Sequence, residues 1–168
     1  AEYLLNLGNK NIGIISGPQD RKEARERLNG YKEALQNRKI EINDDYILKG
    51  NYSYESGHKA ALKLFNLPEP PEAVFVCDDL MALGVLSAAA ELNIKIPEDI
   101  SVIGFDNILQ TKYSIPSLTI VAQQKIKMGE KAAELLISLL SDKDNNNIEK
   151  NIVYTPEIIE RNSCMKRN

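Results

Sequence analysis

The stretch IKIPEDISVIGFDN, residues 94–107, decides the fold of this chain. After a Pro-Glu-Asp turn it contains a short run, residues 100–103, that is apolar apart from one serine, and it ends on Gly-Phe-Asp-Asn. A run of this kind, rich in β-branched side chains and closed by a turn, is typical of a buried parallel strand. Ligands of open α/β sheets bind beyond the carboxyl ends of such strands. We therefore expect Asp106, which follows the strand, to be the chemical centre of the chain.

Strands and helices alternate on the amino-terminal side of this stretch. The spacing of apolar residues predicts strands at 11–16, 46–48 and 73–76 and helices at 21–37, 54–65 and 80–92. Asp79 has the side chain and the position of an N-cap for the last of these helices. Strands separated by helices of this length form parallel sheets with right-handed crossovers. The predicted fold class is therefore α/β, with a three-layer αβα parallel sheet.

The two ends of the chain break the alternation. Residues 1–7 have the pattern of the last turns of a helix, closed by Gly8, which indicates a fragment of a longer protein. After a loop to Pro116 the pattern predicts, in this order, a strand, a helix, a polar link, two closing strands and a frayed tail, at 118–121, 124–140, 141–150, 151–154, 157–160 and 164–168.

The composition is that of an ordinary soluble domain. The 168 residues include 43% hydrophobic and 27% charged side chains, and the formal net charge is −3, so direct contact with nucleic acid is not expected. No apolar stretch is long enough to span a bilayer, and the first residues lack the basic region of a signal peptide. Two cysteines, Cys77 and Cys164, suit a reduced compartment. We therefore expect a cytoplasmic protein with no membrane partner.

The predicted helix at 80–92 is apolar on nearly every side. Between Leu80 and Ala90 only Ser87 is polar. A helix outside a sheet needs one apolar stripe, so apolar residues all round indicate a second covered face. The alternative is a chance run of alanines, which tolerate exposure. Because Leu80 and Leu83 share a side with Ser87, away from the sheet, we predict a homodimer interface at these three residues.

Binding chemistry follows the carboxyl end of each predicted strand. Arginine is a rigid fork of donors, aspartate offers two acceptors, and tyrosine presents a flat amphipathic face. Together these groups suit a polyhydroxylated ligand, although each alone is more often structural, as a helix cap, a turn residue or a solvated charge. Loop by loop, the residues are Arg21, Arg25 and Arg27, then Tyr52, then Asp78, then Asp106.

No set of residues predicts catalysis. The single histidine, His58, lies in a helical segment where a solvated or capping role is expected, and Cys77 at a strand end is expected to be a small buried hydrophobe. Asp78 and Asp79 are neighbours on a strand end, so their side chains point to opposite faces. The sequence has neither a Gly-rich phosphate loop nor Cys/His metal spacing. We therefore predict no cofactor and no metal, and an enzyme is the least favoured class.

Eight stretches of the chain form an ordered set: YLLNLGNKNIGIISGP, RLNGYKEAL, GNYSYESG, AVFVCDDLMALGVL, IPEDISVIGFDN, IPSLTIVAQ, MGEKAAELL and PEIIERNS. In this order they resemble the LacI/GalR family of bacterial transcription regulators, and specifically the later half of its effector-binding domain. The resemblance implies the C-terminal lobe of a periplasmic-binding-protein-like fold, in which a small ligand, often a sugar, binds between two α/β lobes. The sequence departs from the family at Asn9, which is usually His, and at Ile120, which is usually Thr.

The resemblance also implies which residues contact the ligand. The family's ligand-binding arginine falls on Arg27, the second arginine of some members on Arg21, and the aromatic that stacks on the ligand on Tyr52. The polar residue before the helix-capping Asp falls on Asp78. The Asp of the G-[FY]-D signature falls on Asp106, and a glutamine after the LTT-like strand falls on Gln123. At the position of Asp78, sugar binders often have Asn.

By the same resemblance the chain divides into four parts. These are the C-terminal lobe at 1–118, a crossover strand and helix of a missing N-terminal lobe at 119–150, return strands at 151–163 and the tail at 164–168. The apolar stripe of the helix at 124–140 has then lost the sheet that it would cover. We expect this helix to pack on its own lobe, to pack on another copy or to become disordered.

The implied function is effector sensing in a dimeric repressor that reads operator DNA through an N-terminal helix-turn-helix absent from this chain. Two alternatives stay open at this point. One is a periplasmic sugar-binding transport protein, which has the same fold, and the other is a regulator that senses a phosphorylated carrier protein. The stretch IPEDISVIGFDN, residues 96–107, favours the regulator over the transport protein.

Overall fold

The structure, a computed structural model, describes residues 1–141 and 151–167. Six strands form one sheet in this part of the chain: β1 Ile12–Ser16, β2 Ile47–Lys49, β3 Ala73–Val76, β4 Ser101–Phe105, β5 Thr119–Ala122 and β6 Glu157–Ile159. Their order across the sheet is β2-β1-β3-β4-β5-β6. Neighbours among β1 to β5 pair in parallel, and β6 pairs antiparallel with β5. The predicted α/β class with its parallel sheet is therefore confirmed, with one antiparallel strand at the edge.

Helices connect the parallel strands. In the described residues they are α1 Glu2–Asn6, α2 Lys22–Asn37, α3 Tyr54–Phe65, α4 Asp79–Glu91, α5 Gln110–Tyr113 and α6 Lys125–Ser141. A short 3-10 turn, Asp44–Tyr46, precedes β2, and α5 lies where the sequence predicts only a loop. None of the helices in residues 1–141 and 151–167 combines the length and the apolar character that crossing a membrane requires.

The central strands are buried on both faces. Every residue of β1 and β3 is buried, and so are the first four of β4. This burial explains their continuous apolar sequences, because a strand covered by helices on both sides has no solvent-facing positions. The register aligns Ile14 with Phe75 and Phe75 with Ile103 across the three strands. The carboxyl ends of β1, β3 and β4 consequently meet at one edge of the sheet.

The backbones of helices α3 and α4 approach each other closely, at a glycine of each helix. A Cβ atom built on Gly57 would lie 2.2 Å from the backbone oxygen of Met81, and one built on Gly84 would lie 2.2 Å from that of Tyr54. His58, instead of being solvated or capping a helix, pairs with Glu91 across this contact, with 2.9 Å between Nε2 and Oε2. The second apolar face of α4 is therefore covered by α3 of the same chain.

This packing corrects part of the reasoning about self-association. The all-round apolar character of α4 does not require a second copy, since α3 already covers one face. Leu80 nevertheless stays 45% exposed, while Leu83 and Ser87 are half-buried. The predicted interface now rests on the exposure of such side chains and stays a prediction.

The carboxyl-terminal third of the chain differs most from expectation. Strand β5, predicted to belong to a missing lobe, pairs with β4 and β6 in the same sheet, so that part of the predicted division is wrong. Residues 151–156 form no strand, although a strand was predicted at 151–154, because no neighbouring strand in the described residues pairs with them. Most of the predicted polar link, 142–150, lies outside the described residues.

The predicted frayed tail is instead bonded to the lobe as far as Arg167. The backbone N–H of Arg167 donates to the carbonyl of Leu7 at 2.6 Å, and the Arg167 guanidinium donates to the carbonyls of Glu98 and Asp99. Buried Ser163, just before the tail, links the sheet by accepting from the Thr119 N–H and donating to the Val102 carbonyl. These bonds to carbonyls of distant segments fix the tail, and no local pattern announces them.

Helix α6 keeps its apolar stripe in solvent. Ile126 is 79% exposed and Leu140 is 80% exposed, with Leu136 and Ile137 more than half exposed. The expectation that this helix packs on its own lobe is therefore wrong for the described residues. Packing on another copy or loss of order stay predictions.

We expect α6 to be much less protected from amide hydrogen exchange than α2, a helix of similar length. Helix α2 buries Ala24, Tyr31 and Leu35, whereas an uncovered helix is stabilised by little beyond its own marginal hydrogen bonds. Exchange of the isolated chain at low concentration, followed residue by residue, measures the difference. Equal protection of both helices would contradict the expectation.

Candidate functional site

The turn after β4 has an unusual backbone. Asp106 has φ +116° and Asn107 has φ +67°, a left-handed conformation that Asp and Asn tolerate better than other side chains but that still stores strain. The Asp106 N–H donates to the carbonyl of Val121 at 3.0 Å, which ties the turn to β5. Its carboxylate accepts a hydrogen bond from the amide of Gln123. Two predicted ligand residues, Asp106 and Gln123, are thus in direct contact.

Two side chains outside the predicted ligand set hold this turn from outside. Asp79 accepts from the Ile108 N–H at 2.6 Å, and Arg161 donates to Oδ1 of Asn107 at 2.8 Å. The same Arg161 also bonds to the carbonyl of Leu118. The sequence pointed to Asp79 only as an N-cap, and it gave no signal for Arg161.

Arg27 reaches the same edge of the sheet from α2. Its Nη1 donates to the carbonyl of Cys77 at 2.6 Å, and its Cζ lies 3.8 Å from the centroid of the Phe105 ring, a cation–π distance. Phe105, which the sequence reasoning also missed, thus orients the guanidinium. A guanidinium has five N–H donors, and in the part of the chain that the structure describes one of those in Arg27 is used by Cys77. Arg27 is therefore held in place at the edge of the sheet.

Tyr52 lies beside Arg27. Its backbone has φ +69°, and its ring packs on Gly17, where an added Cβ would lie 2.3 Å from the ring. The Tyr52 hydroxyl is buried and has no hydrogen-bond partner within residues 1–141 and 151–167. Burial raises the pKa of Tyr52, and the positive charge of Arg27 opposes this shift. Tyr52 and Arg27 therefore lie within electrostatic reach of each other at this edge.

Asp78, not Asp79, is the N-cap of α4. Its Oδ1 accepts from the Met81 N–H at 3.0 Å, so the predicted cap is wrong by one residue. Burial raises the pKa of the Asp78 carboxyl, the bond from Met81 opposes this, and the nearby charge of Asp106 adds to it. Asp78 therefore has the capping role that was its alternative interpretation, while its carboxyl lies within electrostatic reach of Asp106.

The remaining candidates are peripheral. Arg21 is the exposed N-cap residue of α2, and its charge acts on Tyr52 only as a minor contribution. Arg25 is exposed and donates to the carbonyl of Gln19. No group of three or more His, Cys, Asp or Glu side chains in the described ranges is placed to hold a metal ion. The structure thus brings together Arg27, Tyr52, Asp78, Asp106 and Gln123.

These residues form an open wall. A groove of about 490 Å³ runs along one flank, where Asp106 and Gln123 line it together with Lys125, Ile126 and residues of β6. Arg27, Tyr52 and Asp78 do not line this groove and lie on the adjoining surface. A small polar ligand lying against such a wall would keep its opposite side uncovered.

The whole chain up to Cys164 matches a known family profile. Residues 1–164 match the profile described as a periplasmic binding protein-like domain. The chain belongs to this family. The predicted position of the ligand residues, at the carboxyl ends of parallel strands, fits the open-sheet architecture of this periplasmic binding protein-like domain.

Relatives and solved structures confirm the resemblance to LacI-family regulators. The chain is 37% identical, over 96% of its length, to the HTH-type transcriptional repressor PurR of Proteus mirabilis strain HI4320. It is 44% identical, over 80% of its length, to the HTH-type transcriptional repressor CytR of Escherichia coli strain K12. It spans 47% and 40% of these two proteins, so less than half of each relative is represented.

Two solved structures have the same fold over nearly the whole chain. A regulatory protein of the LacI family from Chloroflexus aggregans superposes with a TM-score of 0.90 at 33% identity, covering 99% of this chain and 59% of that one. The Lac repressor dimer bound to operator and the anti-inducer ONPF superposes with a TM-score of 0.89 at 27% identity, covering 98% of this chain and 56% of that one.

Proposed function

We propose that this periplasmic binding protein-like domain is the C-terminal lobe of the effector-binding domain of a LacI-like transcriptional repressor, and that it binds a sugar or a similar small polar effector. The observation that carries the proposal is the open wall on which Arg27, Asp78 and Asp106 gather at the carboxyl ends of the strands. The repressor names of the relatives support a regulator rather than a transport protein.

The chemistry of the wall suits hydroxyl groups. Carboxylates accept hydrogen bonds from hydroxyls, while a guanidinium donates to their oxygens, so Asp106 and Arg27 suit different hydroxyls of one ligand. The Tyr52 ring adds an aromatic surface beside them. These groups match a polyol more closely than an apolar molecule.

The exposed stripe of α6 supports a second lobe. Apolar side chains such as Ile126 and Leu140 would be covered in a longer protein. In this proposal the second lobe closes the crevice over the effector, and a helix-turn-helix outside this chain reads operator DNA. The chain itself contributes the sensor.

The test is calorimetric titration of the two-lobed protein that contains this chain. A panel of neutral monosaccharides, disaccharides and nucleosides should include at least one compound that binds and that changes affinity for operator DNA. Binding of a phosphorylated carrier protein, with no response to the panel, would instead favour the alternative sensor.

We expect the protein to form a dimer through α4 and the neighbouring loop. Leu80 is 45% exposed, and Leu109 and Ile115 in the segment after β4 are 68% and 94% exposed. Burying such side chains contributes roughly 25 cal/mol per Å² of apolar area. Leu80→Glu and Leu83→Glu should therefore shift sedimentation equilibrium from dimer to monomer. Met165→Glu, a similarly exposed apolar position on the tail, is the matched control. Unchanged association of both leucine variants would mean that the interface is elsewhere.

A further inference from the structure

Asp79 is a buried acid to which the proposed effector site assigns no role. It is 1% exposed and lies in the first turn of α4. One oxygen, Oδ2, accepts from the Ile108 N–H at 2.6 Å, while Oδ1 has no partner in the described part of the chain. A buried carboxyl with one unsatisfied oxygen is unfavourable, so its presence calls for a compensating role.

The segment that Asp79 contacts is the strained turn. Asp106 and Asn107 both have positive φ, and such backbone persists only when the surroundings fix it. The Asp106 N–H is bonded to β5, which fixes the start of the turn, and the bond from Ile108 to Asp79 fixes its end. Asp106, whose carboxyl accepts from Gln123, therefore belongs to a segment that is bonded at both ends.

Gly104 makes room for the carboxyl. A Cβ atom built on Gly104 would lie 2.9 Å from Oδ1 of Asp79 and 2.8 Å from Cδ1 of Ile120. The glycine of the Gly-Phe-Asp sequence therefore has a steric reason that is independent of backbone dihedral angles. It lets the acid of α4 lie directly under the turn that follows β4.

We propose that Asp79 is a positioning residue, whose carboxylate holds the turn 106–108, and with it the carboxyl of Asp106, against the first turn of α4. That the Asp106 carboxyl contacts a ligand at this position rests on the proposed function. Because Leu80 and Leu109 directly follow the two bonded residues, the same bond joins the ligand turn to the surface predicted for self-association.

The charge state of Asp79 provides a distinctive signature. Burial raises its pKa to about 6, the bond from Ile108 opposes this, the charges of Asp106 and Asp78 add to it, and Lys125 opposes it. In the part of the chain that the structure describes, these three charged side chains shift the pKa of Asp79. Above pH 6 the ionised carboxylate is the stronger acceptor, and below pH 6 protonation weakens the bond to the turn.

The experiment follows the Ile108 amide by NMR in this chain without ligand, in wild type, Asp79→Asn and Asp79→Leu. Asparagine keeps an acceptor oxygen without a titrating group, and leucine removes the acceptor. In wild type the Ile108 amide proton should titrate with a midpoint near pH 6, and in Asp79→Asn this titration should disappear. Exchange of the Ile108 amide at pH 7 should be roughly tenfold faster or more in Asp79→Leu than in Asp79→Asn.

The control is Ser101→Ala, which removes a buried polar group from the opposite end of β4 and should leave the Ile108 amide unchanged. Equal exchange in the leucine and asparagine variants would overturn the proposal, as would a titration that persists in Asp79→Asn. If Asp79→Leu does not fold, the asparagine titration decides alone. Both readouts are made without ligand, so failure of the effector site would not change them.

Discussion

Replacing Gly84 by alanine is expected to destabilise the lobe by an amount at or above the upper end of about 1–3 kcal/mol, the usual range for overpacking. The added Cβ would lie 2.2 Å from the Tyr54 oxygen and 2.7 Å from the His58 nitrogen, which are both backbone atoms of α3. Backbone atoms cannot move aside as the end of a flexible side chain can. The two helices must therefore separate, and the apolar contacts between them loosen.

Gly30→Ala is the matched control, since Gly30 is also a helical glycine but has no atom within 4 Å of its added Cβ. There alanine should stabilise the protein by about 0.5–1 kcal/mol, because it restricts the unfolded chain and favours the helix. Thermal and denaturant unfolding of both variants measure the difference. If the two substitutions shift stability in the same direction, α3 and α4 do not approach each other as closely as the structure indicates.

The sequence predicted the buried strands well because their signal is local. The predicted 73–76 agrees with β3, and the predictions for β1 and β4 differ from the structure by one or two residues at their ends. Continuous β-branched runs between turn residues leave few alternatives.

What the sequence could not predict depends on contacts between distant segments. The apolar surface of α4 is matched by Gly57 on α3, and no pattern within α4 distinguishes this partner from a second copy. Asp78 and Asp79 are adjacent acidic residues at the start of a helix. The sequence around them does not distinguish which one caps the helix and which one is buried.

The candidate site was predicted in part for a similar reason. Residues that end parallel strands must meet at one edge, so Asp78 and Asp106 could be placed together from topology alone. The orientation of Arg27 depends on Phe105 and on the Cys77 carbonyl, and the turn depends on Arg161 from the segment that follows β6. Such supporting contacts follow from packing rather than from spacing along the chain.

In the two-lobed protein, removing the Asp106 carboxylate is expected to weaken effector binding by roughly tenfold to more than a hundredfold. Inside a crevice that closes on the ligand, a charged hydrogen bond contributes about 1.5–3 kcal/mol. Arg27→Ala should have an effect of similar size, because it removes the donor on the other side of the wall. Operator binding without effector should survive both changes, since the proposed repressor reads operator DNA through an element outside this lobe.

The choice of variant matters at Asp106 because of its backbone. At φ +116° alanine is strained, so Asp106→Ala changes the turn as well as the carboxylate, whereas Asp106→Gly keeps this φ without strain. Equal losses in both variants would assign the effect to the side chain. Asp45→Ala, an exposed aspartate just before β2 and therefore at the opposite ends of the strands, should leave the Kd unchanged.

The isolated lobe provides the last comparison. It offers only one open wall, so its effector Kd should be on the order of millimolar or weaker, where binding free energies fall to about −4 kcal/mol. Calorimetry of the two-lobed protein and of this chain, with the same effector, measures both. Unchanged affinity in the Asp106 and Arg27 variants would reject these residues as the site. Tight binding by the isolated chain would instead reject the two-lobe account, because a ligand held on one side would then need no closure.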